Sequence, residues 1–227
     1  MDKLLQNQLL EFFAEYVTDH KKELIEQVLS HRTRHLTVVL EDIYESQNAS
    51  AVLRTCDCFG IQDLHIIENK NTYTLNPQVV QGASKWVDLI PYNSTKVNNS
   101  IRCVNSLKSN GYKIYATSPD SSGKSINEVN ISDKVALFFG TEYDGLTQEV
   151  IDKADELVQI PMYGFTESFN LSVSAAVCLN ILTSKLFTSE VSWQLSEEEK
   201  KTMRLDWYKK IVERSALMEQ EFIKRLK

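Results

Sequence analysis

Glycine is scarce in this chain. Seven occur in 227 residues, at positions 60, 82, 111, 123, 140, 145 and 164, and nowhere do they form G-x-G-x-x-G. Dinucleotide enzymes and the common open-sheet methyltransferases need such a cluster after the first strand, because only glycine lets the backbone approach the cofactor closely there. Gly123-Lys124-Ser125 ends like a phosphate-binding loop, but Ser118 stands where that motif requires its first glycine, so an ordinary loop is expected. NAD, ATP and GTP are disfavoured as ligands.

Long apolar runs are also missing. No stretch reaches the roughly 18 to 20 apolar residues of a membrane span, and Met1 to Leu10 lacks a basic region leading into an apolar signal segment. A soluble protein of the cytoplasm, without a membrane partner, is the expectation. The four cysteines, Cys56, Cys58, Cys103 and Cys178, form no C-x-x-C pair and stand in apolar surroundings, which reads as reduced core thiols. His20, His31, His35 and His65 show no ligand spacing, so no metal is expected.

The net charge of -6 runs against a nucleic-acid partner, since phosphate binding depends on Lys and Arg. Its distribution is uneven. From Leu195 to Lys227 nine basic residues face seven acidic ones, so that this tail is +2 and the remainder -8. A solvated helix face of mixed charge and an RNA-binding face both fit the tail. Position and charge single out Arg32, Arg34, Lys201, Arg204 and Lys209 as RNA-contact candidates.

With 42% hydrophobic residues the chain can bury a sizeable core. Leu4, Leu5, Phe12, Phe13, Val17, Leu24, Ile25 and Val28 recur at near-helical spacing, so residues 1–35 read as a helical extension. Apolar runs then alternate with helical patterns: strands at Leu36–Leu40, Leu64–Ile67, Val87–Ile90, Tyr112–Ala116, Val135–Phe139 and Leu157–Ile160, helices at Ala49–Phe59, Val97–Ser109, Leu146–Lys153 and Asn170–Phe187. Such alternation predicts a parallel sheet covered by helices on both faces, an α/β domain over 36–190. Gly111 falls at a helix C-terminus. Ser196 and Glu199 have capping-box spacing and open one long final helix in a second extension, 191–227.

Three segments carry chemistry. Asn48-Ala49-Ser50-Ala51-Val52-Leu53-Arg54-Thr55 opens a helix after the first strand. Arg54 and Arg102 are the arginines between residues 36 and 194, and a guanidinium at the carboxyl ends of strands suits phosphate recognition. From spacing alone, a surface pair of Arg54 with Asp57 and Asn48 as a plain helix cap are the readings to be displaced. In the second, Phe138-Phe139-Gly140-Thr141-Glu142-Tyr143-Asp144-Gly145, an apolar strand runs into a turn whose Glu142 either orients a polar substrate group or is a turn acid. The third runs from Ile160-Pro161-Met162 through Ser168-Phe169-Asn170 into a helix of small residues. Its first amides could hold a carboxylate, and capping by Ser168 or Asn170 is compatible with that.

Taken in order, these segments resemble the motifs of the SpoU branch of the SPOUT methyltransferases, closest to the tRNA guanosine-18 ribose methyltransferases. Arg32-Thr33-Arg34, Val39-Leu40-Glu41-Asp42-Ile43, Gly82-Ala83-Ser84-Lys85-Trp86-Val87 and a helical tail with Trp207 extend the likeness over nearly the whole chain. The resemblance implies a trefoil knot in the C-terminal part of the sheet domain, a homodimer, and S-adenosyl-L-methionine as cofactor beside Thr117, Gly140, Ile160, Met162 and Phe169. It implies that Arg54 leads catalysis, supported by Asn48, Glu142, Ser168 and Asn170, on RNA and preferably tRNA. Phe169 replaces a frequent leucine, and Thr141-Glu142-Tyr143-Asp144 departs from the usual asparagine or serine, glutamate, then a small residue. Alternatives are an rRNA or tRNA wobble-position substrate, or an RNA-binding protein of the same fold that has lost methylation.

Overall fold

The computed structural model describes residues 2–119 and 123–226. They fall into two compact units, one built from the segments up to Arg32 and from Gln194 onward, the other from Thr33–Trp193.

The second unit holds seven strands, β1 (Leu36–Glu41), β2 (Asp63–Ile67), β3 (Asp88–Tyr92), β4 (Tyr112–Thr117), β5 (Lys124–Ser125), β6 (Lys134–Phe139) and β7 (Glu156–Gln159). All pair in parallel, in the order β3-β2-β1-β6-β4-β7-β5. Gly123-Lys124-Ser125, expected as an ordinary loop, supplies the two-residue edge strand β5 instead, because Lys124 and Ser125 find backbone partners in Val158 and Gln159. Pro91 sits in β3, at the opposite edge, where a missing amide costs no ladder bond.

Burial on both faces explains why β1 carries adjacent apolar residues, Val38, Val39 and Leu40, with the buried Thr37 hydroxyl donating to Asp63 O. Leu36, Val38 and Leu40 of β1 and Val135, Leu137 and Phe139 of β6 join one core cluster, with residues of α3 (Ser46–Cys58) and α7 (Leu171–Phe187). Val39, Ala136, Phe138, Ile114 and Ala116 point the other way, into a cluster with α5 (Asn99–Ser109) and α6 (Gln148–Lys153). The short α4 (Pro77–Val80) starts where Ser50 Oγ accepts from Asn76 N at 2.8 Å. Gly111, with φ 81°, ends α5 as its spacing suggests.

The first unit consists of α1 (Lys3–Ala14), α2 (Asp19–Ser30), α8 (Glu197–Ile211) and α9 (Ser215–Arg225). Ser196 and Glu199 form the expected capping box at the start of α8. The single long final helix does not form. Arg214 takes φ 58° and the chain folds back, so that Phe222 stacks on Phe12 at 4.5 Å and Glu219 meets Lys209 at 2.6 Å. Lys227, counted above among the basic residues of this tail, lies outside the described residues.

His65 on β2 is buried, with Nδ1 3.3 Å from Tyr92 Oη and the two rings stacked. Burial pulls its imidazole down from 6.5 to about 4. The folded state therefore favours the neutral ring: the contribution is complete above pH 6.5 and is lost as pH falls toward 4, up to about 3 kcal/mol. Urea titrations between pH 4 and 7 should show a steeper loss of stability on acidification for the wild type than for His65→Gln.

Candidate active site

Ligands bind to open α/β sheets at the carboxyl ends of strands, where successive connections leave in opposite directions. Here that point lies between β1 and β6. After β1 the chain moves outward through α3 to β2, and after β6 it moves the other way through α6 to β7. Leu40 and Phe139 are register partners near the ends of these two strands, so the loops that follow them begin side by side.

Two buried carboxylates hold those loops. Glu41, 1% exposed, accepts from Ser100 Oγ and, at 2.8 Å each, from the amide and the hydroxyl of Thr147, which anchors the far end of the Gly140–Leu146 turn. Asp42, in the left-handed region at φ 52°, accepts the amides of Asn69, Lys70 and Asn71 at 2.7, 2.8 and 3.3 Å. A carboxylate out of water needs such donors in full, since leaving one unpaired costs several kcal/mol. Two adjacent acids ending an apolar strand are the sequence signal that marks them.

The three chemical segments meet in one hydrogen-bonded chain. Asn48 donates to Glu142, Asn170 Nδ2 donates to Asn48 Oδ1 at 3.1 Å, and Asn170 Oδ1 accepts from the amide and hydroxyl of Ser172 at 2.9 and 2.7 Å. Asn170 is the N-cap of α7, so its capping role and its place in the chain coexist. Asn48 is not a cap: α3 begins at Ser46, and the amide of Asn48 is spent on the other two segments. Glu142 is correspondingly more than a turn acid.

Beside this chain opens a cavity of about 290 Å³, at the low end of the roughly 300–1,000 Å³ of ligand pockets. Thr117, Gly140, Ile160, Met162 and Phe169, together with Glu142 and Ser168, line it. Thr117 Oγ1 donates to Phe138 O at 2.8 Å, clamping the end of β4 to β6. Among its described lining residues there is no Lys, Arg or His, whereas Glu142, Asp144 and Glu167 all border it. Gly140 belongs to the tightest part of the wall: a Cβ there would stand 2.1 Å from the backbone of Gly145. Cys178, at the cavity's inner side, is buried, and burial pushes its thiol up to about 12. At neutral pH it is a protonated core thiol.

Arg54 stands apart. Six residues beyond Asn48, it lies about 120° around α3; it is exposed and is not among the described residues that line the cavity. The five RNA-contact candidates are mostly engaged elsewhere. Arg32 is 1% exposed with its guanidinium 5.4 Å from the Trp207 ring, so it offers no charge to a phosphate. Arg34 holds Asp63 and Asp88 at 3.1 and 2.8 Å, Arg204 grips the Glu26 carboxylate, and Lys209 pairs with Glu219. Lys201 remains half-exposed. Counting charges could not separate paired from available cations.

Among the described residues, an all-parallel seven-stranded sheet with a cavity at the carboxyl ends of β4, β6 and β7 defines an α/β protein whose loops at that edge can hold a ligand. Residues 35–180 match the SpoU rRNA Methylase family, and the chain belongs to it. It is 44% identical over 206 residues, 91% of this chain and 92% of the relative, to a tRNA (guanosine(18)-2'-O)-methyltransferase of Borreliella burgdorferi. It is 34% identical to the Thermus thermophilus protein of that name, over 71% of this chain and 81% of the relative. Among solved structures, the A. aeolicus TrmH/SpoU tRNA modifying enzyme superposes with a TM-score of 0.73 at 27% identity, covering 92% of this chain and 98% of that one.

Two outcomes test this geometry. Gly140→Ala should cost about 1–3 kcal/mol in urea unfolding because backbone must yield, while Gly164→Ala, which meets nothing within 4 Å, should change stability by no more than about 0.5 kcal/mol. Iodoacetamide at pH 7.5 should alkylate the exposed Cys58 and spare the buried Cys56, Cys103 and Cys178, as read by peptide mass mapping.

Proposed function

We propose that this protein transfers a methyl group from S-adenosyl-L-methionine to the ribose 2'-hydroxyl of guanosine 18 in tRNA. The observation that carries the reading is the convergence of Asn48, Glu142 and Asn170 beside a cavity whose described lining holds carboxylates and no cationic side chain. The 44% identical relative named for that reaction supports the choice of nucleotide.

The cavity suits this donor. Carboxylates at its border favour a ligand bearing a sulfonium and an ammonium group and disfavour one carrying phosphates. Thr117, Gly140, Ile160, Met162 and Phe169 would hold it. When bound, it supplies an electrophilic methyl group.

The work left to the chain is to position a ribose and favour the oxyanion that emerges as its hydroxyl loses a proton. Asn48, oriented from both sides by Glu142 and Asn170, presents a fixed amide beside the cavity. Glu142 Oε1 is occupied by Asn48, which leaves Oε2 for a substrate hydroxyl. Arg54 cannot serve as a base because guanidinium stays protonated in proteins; it holds a neighbouring phosphate and stabilises negative charge. A homodimer belongs to this reading, since it would let Arg54, outside its own cavity lining, serve a ribose held by the second copy. So does a trefoil knot: the chain leaves β4 for the edge strand β5, returns to β6 between β1 and β4, and leaves again for β7. The site of action is the cytoplasm, where tRNA is found; no helix among the described residues is long and apolar enough to cross a membrane.

Incubation with labelled S-adenosyl-L-methionine and separate tRNA and rRNA pools should label tRNA, with the modified ribose mapping to guanosine 18. Label in rRNA, or at the wobble position, would overturn that assignment. Arg54→Ala should lower kcat by about 10²–10³-fold with the calorimetric affinity for the donor unchanged; equal loss of both would mean a structural role.

A further inference from the structure

Tyr143 is 98% exposed, yet it stands in a stiff turn. Thr141 and Gly145 exchange backbone hydrogen bonds of 3.0 and 3.1 Å, the Asp144 amide donates to Thr141 Oγ1 at 3.0 Å, and Gly140 packs directly on Gly145. A large ring held out in water contributes nothing to the core; exposure of a single ring is ordinary, and its place decides what it can do. Its location is specific. Tyr143 follows Glu142, which is bonded to Asn48, and it lines the same cavity as Ser168 and Phe169.

We propose that the Tyr143 ring stacks on the base of the nucleotide whose ribose is methylated, which makes it a substrate-binding contact for that nucleotide. The inference rests on the function proposed above and adds a nucleobase contact to it. The inner wall of the cavity is Val158, Ile160 and Leu171, whereas Tyr143, 98% exposed, borders it from the solvent side, where a second ligand arrives. An unstacked base taken from an RNA loop needs a flat apolar surface to replace its lost neighbours, and exposed aromatic rings provide it. The ring's neighbour Glu142 is the residue that reaches the hydroxyl in the mechanism above, so base and ribose of one nucleotide meet adjacent side chains.

The test compares wild type, Tyr143→Ala, Tyr143→Leu and Tyr143→Phe in methyl transfer to tRNA, with donor affinity measured by calorimetry and oligomeric state by sedimentation. Alanine should raise the KM for tRNA by about 5- to 150-fold, the range given by base-stacking aromatics. Leucine, similar in bulk without a π-face, should fall close to alanine, and phenylalanine should retain the wild-type KM. Donor affinity and oligomeric state should not move. An unchanged KM in Tyr143→Ala, with the wild type active, would sink the stacking role alone. Weakened donor binding would assign the ring to the cofactor, and a changed oligomeric state would assign it to a contact between copies; either overturns the proposal. A wild type that methylates no RNA would bring down the proposed function and this inference together.

Discussion

Asn48 can donate to Glu142 and accept from Asn170 at once only because β1 and β6 are neighbours while their connections run apart. Ninety-odd residues separate the first two partners and more than a hundred separate Asn48 from Asn170. Nothing local brings them together. The constraint is the parallel ladder from Leu36↔Val135 to Leu40↔Phe139, which sets where both loops begin. A register slip of one residue would turn every inward side chain of β6 to the other face and move Glu142 away from Asn48.

The cost of fixing loops so exactly in place is met underneath, by Glu41 and Asp42. Each is buried and each takes three donors or more from another segment, Glu41 from Ser100 and Thr147, Asp42 from the 69–71 amides. Polar groups at this depth specify geometry because every alternative leaves a charge without a partner. The cavity then needs little machinery of its own: apolar walls, backbone that Gly140 allows to close up, and no cation among its described lining residues.

Much of the fold was legible in the sequence because the sheet is buried on both faces. The runs Leu36–Leu40, Val135–Phe139 and Leu64–Ile67 place apolar residues at adjacent positions, broken by Thr37 and His65, and each is a strand within a residue or so of its expected ends. The capping box at Ser196 was legible for the same reason that it works, being local. What depended on distant partners was not. The two residues of β5 are a strand only because β7 lies beside them, the bend at Arg214 is fixed by Phe12 and Phe222, and Asn48 looks like a cap until Glu142 and Asn170 claim its amide. The basic residues failed similarly, since composition counts Arg32 and Arg204 as cations without showing that one is buried over Trp207 and the other engaged with Glu26.

The helical unit joins the two ends of the chain, and that has a consequence for how the protein is made. Leu9 and Phe13 of α1 are fully buried, and Gln6 of α1 donates to Thr202 of α8. At synthesis rates of roughly 5–20 residues per second, the partner helix emerges about 10–40 s after α1. During that interval the apolar stripe of α1 lacks its native cover, and the sheet unit is completed before it gains one. Synthesis thus completes the sheet before the helical unit, α1 waiting on α8 to find its place.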